Sequence, residues 1–492
     1  MLKETIELPV QASQDRLIQE KTPEISEELS LFPMGRILKK ALEAVAGSPH
    51  LSKTLFELQT EMLSRMRSRR KIFTPSKETL DAFQTMDAAP HIISLARSHS
   101  WYPTALPEGC DNRCQDYTIE DMRKEAAKQL QIRQGITPHE DQFEVISFST
   151  MTILGAIIRT LKPDTAILGD AVTWEGYAIS SGVERRPYMS KLENQSWSDY
   201  IAKNFSNPGE EIGAICITSP DSITGHHISP EVLKELFSIA DKYGIRIIIN
   251  QVHALPGRDG KLPKIQQLVA ESNNPNLFLM ASATKQMMPY GVPGLENSMF
   301  NIVYSPNSYW ITRTREEIIK GPAANLEEQT TVSPSIVGHA TELMQASTST
   351  FYAEHENKSF EKRQIVNDWL LQHPGVNWYK GHIPDTTYNG TLTFSHDLIA
   401  KTGIKNPTDL YDYILFTAGL DVGPVYEAGP DKLNAEGGVS MRMNYSLPDN
   451  ELRLALNLLG VVVENMVKGT TLAQVVLNSE QSGSIRLQAE KI

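Results

Sequence analysis

Ser229-Pro230-Glu231-Val232-Leu233-Lys234-Glu235-Leu236-Phe237-Ser238-Ile239-Ala240-Asp241-Lys242-Tyr243-Gly244-Ile245-Arg246-Ile247-Ile248-Ile249 joins a helix with both ends signalled to a strand that is nearly all apolar. Ser229 is an N-cap, Pro230 loses nothing by lacking an N–H in the first turn, Glu231 places negative charge early, and Gly244 stops the helix. The strand at 245–249 shows no polar alternation, as expected when helices cover both faces of a sheet.

The same alternation extends outward. A helix over about 152–161 leads to a strand at 166–168, a strand at 214–218 precedes the quoted helix, and a strand at 277–280 follows it. The fold class is therefore α/β. Past about Pro334 a helical stretch runs through His339, Leu343 and Phe351 to Trp369. It leads to strand-like Gly390-Thr391-Leu392-Thr393-Phe394, a helix over 406–418, a strand at 440–444 and a helix over 449–467. This reads as a separate small α+β unit. Upstream, apolar residues from Ile37 to Met66 recur near helical spacing with a break at Gly47-Ser48-Pro49, predicting two helices. The expected organisation is a helical N-terminal extension (1–90), a large domain (91–325) and a C-terminal small domain (326–492) that also takes in part of the N-terminus.

At 492 residues, 40% hydrophobic and 22% charged, the chain is long enough for a large core and has the balance of a globular protein. A formal charge of −12 argues against a nucleic-acid partner. The local basic run of Arg65, Arg67, Arg69, Arg70 and Lys71 reads as a solvated helix face. Cys110, Cys114 and Cys216 make an odd number without a second metal-ligand pair. Free thiols, no metal and a reducing compartment are expected. Charges interrupt the first twenty residues, and no apolar run reaches the roughly 18 to 20 needed to cross a bilayer. The expected location is the cytoplasm, away from membranes.

Candidate chemistry begins at Ser282-Ala283-Thr284-Lys285, which follows the apolar Leu277-Phe278-Leu279-Met280. That puts Lys285 beyond the carboxyl end of a buried strand, the edge where open α/β sheets bind ligands; taken alone, it reads as a solvated charge. Ser149-Thr150-Met151 opens a helix, which suits a phosphate or is a plain N-cap. Trp174, in Thr173-Trp174-Glu175-Gly176-Tyr177, offers a flat apolar face or fills a core. Arg442, in Ser440-Met441-Arg442-Met443-Asn444-Tyr445, stands between apolar residues on a strand, a costly choice without a carboxylate or an ion-pair partner.

Together with Asp116-Tyr117-Thr118, Ser219-Pro220-Asp221-Ser222-Ile223-Thr224-Gly225 and Asn250-Gln251-Val252-His253, these segments resemble the class I/II aminotransferase family, the fold-type I enzymes dependent on pyridoxal 5'-phosphate (PLP). Order and spacing agree from about Ile92 to about Gly469. The resemblance implies a large domain with a mostly parallel seven-stranded sheet, a PLP Schiff base on Lys285, and cofactor contacts from Ser149, Thr150, Trp174, Ser222, Asn250, His253 and Ser282. It implies that Arg442 binds the substrate α-carboxylate and that Tyr117 reaches the phosphate of a neighbouring subunit, hence a homodimer.

The chain departs from the family pattern at four positions. Asn250 replaces an aspartate that keeps the pyridine nitrogen protonated, so a neutral ring and a weaker electron sink are expected. Ser222 replaces an asparagine at the ring's phenolic oxygen. His253 replaces a tyrosine there and is able either to donate or to fill space. Glu296 follows Gly294-Leu295 where the family has a phosphate-clamping arginine, leaving Arg313 and Arg315 as candidate substitutes. Transamination of an amino acid is the expected activity. A PLP lyase or synthase of specialised biosynthesis (elimination, cyclisation or decarboxylation) is the alternative, and a family-shaped binding protein without catalysis is a third.

Overall fold

The computed structural model describes residues 93–95, 117–170, 172–174, 176–191, 195–282, 285, 300–320, 331–332, 334–385, 388–425 and 437–481. The helices expected within 37–66, the basic run at 65–71, Cys110, Cys114 and Glu296 lie outside the described residues.

After a short strand β1 (Ile93–Ser94), seven strands build the main sheet: β2 (Phe143–Ile146), β3 (Ala166–Gly169), β4 (Tyr188–Ser190), β5 (Ile212–Thr218), β6 (Arg246–Asn250), β7 (Leu277–Ser282) and β8 (Asn301–Tyr304). Their order is β2-β8-β7-β6-β5-β3-β4. Pairing is parallel from β7 to β4, and β8 runs against both its neighbours. The fold is the α/β arrangement expected.

Apolar alternation explains why this sheet is buried on both sides. Ile247 and Ile249 of β6, Ile215 and Ile217 of β5 and Leu277 and Leu279 of β7 share one core. The residues between them, Ile248, Cys216, Phe278 and Met280, join a second core on the opposite face. Each such side chain contributes roughly 1.5–3 kcal/mol by leaving water, so a period-2 strand with no polar face is stable only between two helical layers. Arg246 is the charged exception on β6. It is buried, its guanidinium lies 3.2 Å from the Trp310 ring centroid, and Nη1 donates to Thr160 Oγ1 at 3.1 Å.

The quoted helix spans Pro230–Tyr243: Ser229 Oγ accepts from Val232 N, and Gly244 takes the left-handed conformation (φ 70°) and returns its N–H to Ala240 O. The first expected helix runs over Thr150–Arg159, two residues early, because Ser149 is its N-cap. The long stretch past Pro334 is two helices, Pro334–Ala346 and Ser349–Gln372, since Thr348 caps the second through Phe351 N.

The C-terminal unit carries β9 (Val376–Trp378), β10 (Asn389–Ser395), β11 (Leu420–Asp421), β12 (Gly423–Pro424) and β13 (Gly438–Asn444). Four of these form an antiparallel sheet in the order β12-β13-β10-β9. β1 pairs in parallel with β11, and Ile93 and Leu95 enter the C-terminal core. Packing therefore moves the start expected at residue 91: β1 belongs with the C-terminal unit. It also moves the boundary expected at 325, because Val337, Ala340, Leu343 and Met344 of the helix Pro334–Ala346 pack under the main sheet. The change of core comes along the helix Ser349–Gln372. Its Tyr352 hydroxyl donates to Gln129 Oε1 at 2.8 Å, and its Val366, Trp369 and Leu370 join the C-terminal core. Among the described residues no helix is long and apolar enough to cross a membrane.

Candidate active site

The parallel strands of the main sheet end together, and the candidate residues gather at that carboxyl edge. Register sets Thr218, at the end of β5, opposite Asn250, at the end of β6, and Asn250 opposite Met280 of β7. Lys285 follows β7 by three residues and is half-buried. Of Ser282 the structure describes the backbone, paired with Asn301 of β8.

Asn301 ties this corner to the helix that begins after Ser149. Its Nδ2 donates to Phe148 O at 2.7 Å, and its Oδ1 accepts from Thr150 Oγ1 at 3.4 Å. Ser149 Oγ accepts from Thr152 N at 3.2 Å. The serine thus caps the helix itself, and the anion-attracting property of this corner resides in the helix end and the Thr150 hydroxyl. Through Asn301 the start of this helix and the end of β7 come together.

Trp174 stands on the connection after β3, half-buried, with its ring centroid 5.5 Å from that of Tyr177 in an edge-on pair. Tyr177 is fully buried and its hydroxyl meets Ile217 O at 3.0 Å and Thr218 Oγ1 at 2.8 Å. It pins the start of the helix Gly176–Val183 to the end of β5 and so fixes where Trp174 stands.

Ser222 lies on the loop after β5, which Asp221 organises from within: Oδ1 accepts from Ile223 N and Thr224 N, each at 2.9 Å. Burial pushes the Asp221 carboxyl up to about 6, against the opposing pull of these hydrogen bonds. Ser222 Oγ is buried without a hydrogen-bond partner. Its carbonyl accepts from Arg442 Nη1 at 3.4 Å, which joins the loop to β13.

Asn250 Oδ1 accepts from Val252 N at 3.2 Å. With the oxygen engaged by the turn, the amide's remaining polar end is an N–H donor. His253 is fully buried, and neither ring nitrogen has a partner. Burial pushes its pKa well down, and the charges of Lys285 and then Arg442 push it further; the ring is neutral. Both cations act on His253 electrostatically, although 157 positions separate them in sequence. An unpaired buried polar group costs about 1–3 kcal/mol, and Ser222 and His253 both leave such groups at this sheet edge.

Other candidates are not drawn into this group. In the single chain the Tyr117 hydroxyl donates to Gln345 Oε1 at 3.3 Å, on the helix Pro334–Ala346. Arg313 and Arg315 lie on the helix Ser308–Ile319, where Arg313 binds Glu316 at 2.6 Å and Arg315 stands 3.9 Å from Glu144. They are surface ion-pair residues, not the substitutes for a phosphate clamp that the sequence offered. Cys216 is a buried free thiol, and among the described residues no cluster of metal-ligating side chains occurs. Sequence reasoning passed over Tyr388, whose ring meets that of His253 edge-on at 5.3 Å. It is one position before a strand, and nothing in its local pattern separates it from ordinary core.

The family described as aminotransferase class I and II matches residues 81–295. Valine–pyruvate aminotransferase of Escherichia coli (strain K12) is 29% identical over 136 residues, which are 27% of this chain and 30% of that protein. The chain therefore matches less than a third of this relative's length. The aspartate aminotransferase from Rhizobium meliloti aligns with a TM-score of 0.60 at 14% identity, covering 82% of this chain and 96% of that one. A PLP-bound structure from Clostridium difficile 630 gives 0.60 at 12% identity, covering 79% and 96%. At such identities the structural likeness carries the fold alone.

Proposed function

We propose that the chain, whose residues 81–295 match the class I and II aminotransferase family, holds PLP on Lys285 and moves the amino group of an amino acid. The observation that carries this reading is that Arg442, through its hydrogen bond to Ser222 O at 3.4 Å, reaches the carboxyl edge of the sheet where Lys285 follows β7. Fit to the cofactor is supported by the orphaned Ser222 hydroxyl and His253 imidazole, two neutral groups suited to the ring's phenolic oxygen.

When bound, PLP supplies an electron sink beside the bond that breaks. Lys285 provides the amine that attaches the aldehyde and then carries a proton at the substrate's α-carbon. Arg442 binds the α-carboxylate and orients it. Trp174 covers one face of the ring, Thr150 and the helix end after Ser149 receive the phosphate together with Ser282, and Asn250 offers its N–H to the ring nitrogen. Tyr117 completes the phosphate site of a second copy, which makes the active species a homodimer; the compartment is the cytoplasm.

Asn250 favours a second reading. An amide donor in place of a carboxylate leaves the ring nitrogen unprotonated and the sink weaker, which suits a PLP lyase or synthase.

The test begins with borohydride reduction of protein incubated with PLP and mass mapping of the adduct, expected on Lys285. The loaded protein is then given valine and other amino acids with pyruvate as first acceptor. Amino transfer that disappears in Lys285→Ala is the expected result. Consumption of amino acid without transfer would establish the second reading, and absence of an adduct at Lys285 would overturn both.

A further inference from the structure

We propose that Thr391 and Asp385, both from the C-terminal unit, are positioning residues: they hold the loop 221–227 so that Ser222 meets the cofactor's ring oxygen. The proposal rests on the reading of Ser222 given above.

The loop's backbone hydrogen bonds divide between two sources. From within, Asp221 supplies its carboxylate to Ile223 N and Thr224 N, its carbonyl to Gly225 N at 3.0 Å, and its own N–H to His226 O at 2.8 Å. From the other unit, Thr391 Oγ1 donates to Ile223 O at 2.7 Å, Asp385 N donates to Gly225 O at 3.0 Å, and Asp385 Oδ2 accepts from His227 N at 2.7 Å. Backbone groups withdrawn from water require partners, and Ile223 O, Gly225 O and His227 N have these only while the C-terminal unit is docked on the loop.

Neither residue is explained by its own unit. Thr391 is wholly buried on β10, where valine would pack equally well and only the hydroxyl reaches the loop. The Asp385 side chain is 47% exposed, yet its backbone and carboxylate together bracket Gly225 to His227. Its segment is anchored behind: Arg363 Nη1 donates to Pro384 O at 3.1 Å, and Arg363 is itself paired with buried Glu356. A rigid support therefore runs from the helix Ser349–Gln372 to the residues flanking Ser222.

A donor at the ring oxygen stabilises that oxygen as an anion, so losing the contact raises the pH midpoint of the bound cofactor's visible absorbance. For one hydrogen bond the rise is about half to one pH unit. The test is a titration of PLP-loaded protein with Thr391→Val, Thr391→Ser, Asp385→Ala, Ser222→Ala and Ser222→Ala combined with Thr391→Val. Expected are a rise in Thr391→Val and in Asp385→Ala, recovery in Thr391→Ser, and no further rise when Thr391→Val is added to Ser222→Ala. Asp385→Ala keeps the backbone donor and removes a half-exposed side chain, so it carries the test should Thr391→Val not fold. An equal shift with and without the Ser222 hydroxyl, or no shift in either clamp variant, overturns the proposal. A Ser222→Ala midpoint identical to wild type, with the adduct on Lys285 intact, removes the assignment of Ser222 and the clamp with it but leaves the enzyme reading standing.

Discussion

Gly176 lies directly beneath the indole of Trp174: a Cβ built on it would fall 2.3 Å from ring atom Cζ2 and 2.4 Å from Cε2. Contacts that short force the ring to move. Gly176→Ala is expected to displace the indole and to weaken PLP binding by about fivefold to tenfold, the equivalent of roughly 1 kcal/mol of aromatic contact. Equilibrium dialysis of the cofactor measures this, and the same change in a Trp174→Ala background should add nothing.

Asn250 presents an N–H donor because its oxygen is engaged by Val252 N. Asn250→Asp exchanges that donor for a negative charge and should raise the pKa of the ring nitrogen by roughly 1–3 units. Nitrogen-15 NMR of labelled PLP on the two proteins reads the change directly: a neutral ring in wild type, a protonated one in the variant.

The Asp221 carboxyl, ordinarily near 3.8, is pushed up to about 6 by burial. The folded state therefore holds a proton that the unfolded state has released between those values, and stability falls as pH rises through that window. Asp221→Asn keeps an oxygen for Ile223 N and Thr224 N and removes the titration. The urea midpoints of the two proteins should agree near about pH 4 and separate above about pH 6, with the variant the more stable.

Tyr177 reaches Ile217 O and Thr218 Oγ1 from a fully buried position. Tyr177→Phe should cost about 1–2 kcal/mol, since Thr218 loses its partner. Urea unfolding gives the value, and Thr218→Val in the same chain should recover part of it.

Much of the fold was legible because its signals are local. Ser229 and Gly244 bracket a helix whose two ends match the sequence reading, and the apolar run after it can only be a strand buried on both faces. What stayed hidden depends on partners far along the chain. No pattern near Ile93 announces that it pairs with Leu420. In the candidate site, Lys285 and Arg442 stood out through the order and spacing of their segments, which carry the resemblance. Thr391 was not visible, because a threonine on a strand is ordinary β chemistry until Ile223 O is known to lie against it. Arg313 and Arg315 failed for the converse reason: positive charge is easy to read, while the carboxylates that occupy it are not.

The reversed direction of β8 has a bearing on how this site can diversify. Because Ser282 and Asn301 are cross-strand neighbours, the chain leaves the sheet and returns to it at the same margin. A change of length between these two positions leaves the pairing of either strand unaltered. The connection between these two strands is thus tied to the sheet at a single margin.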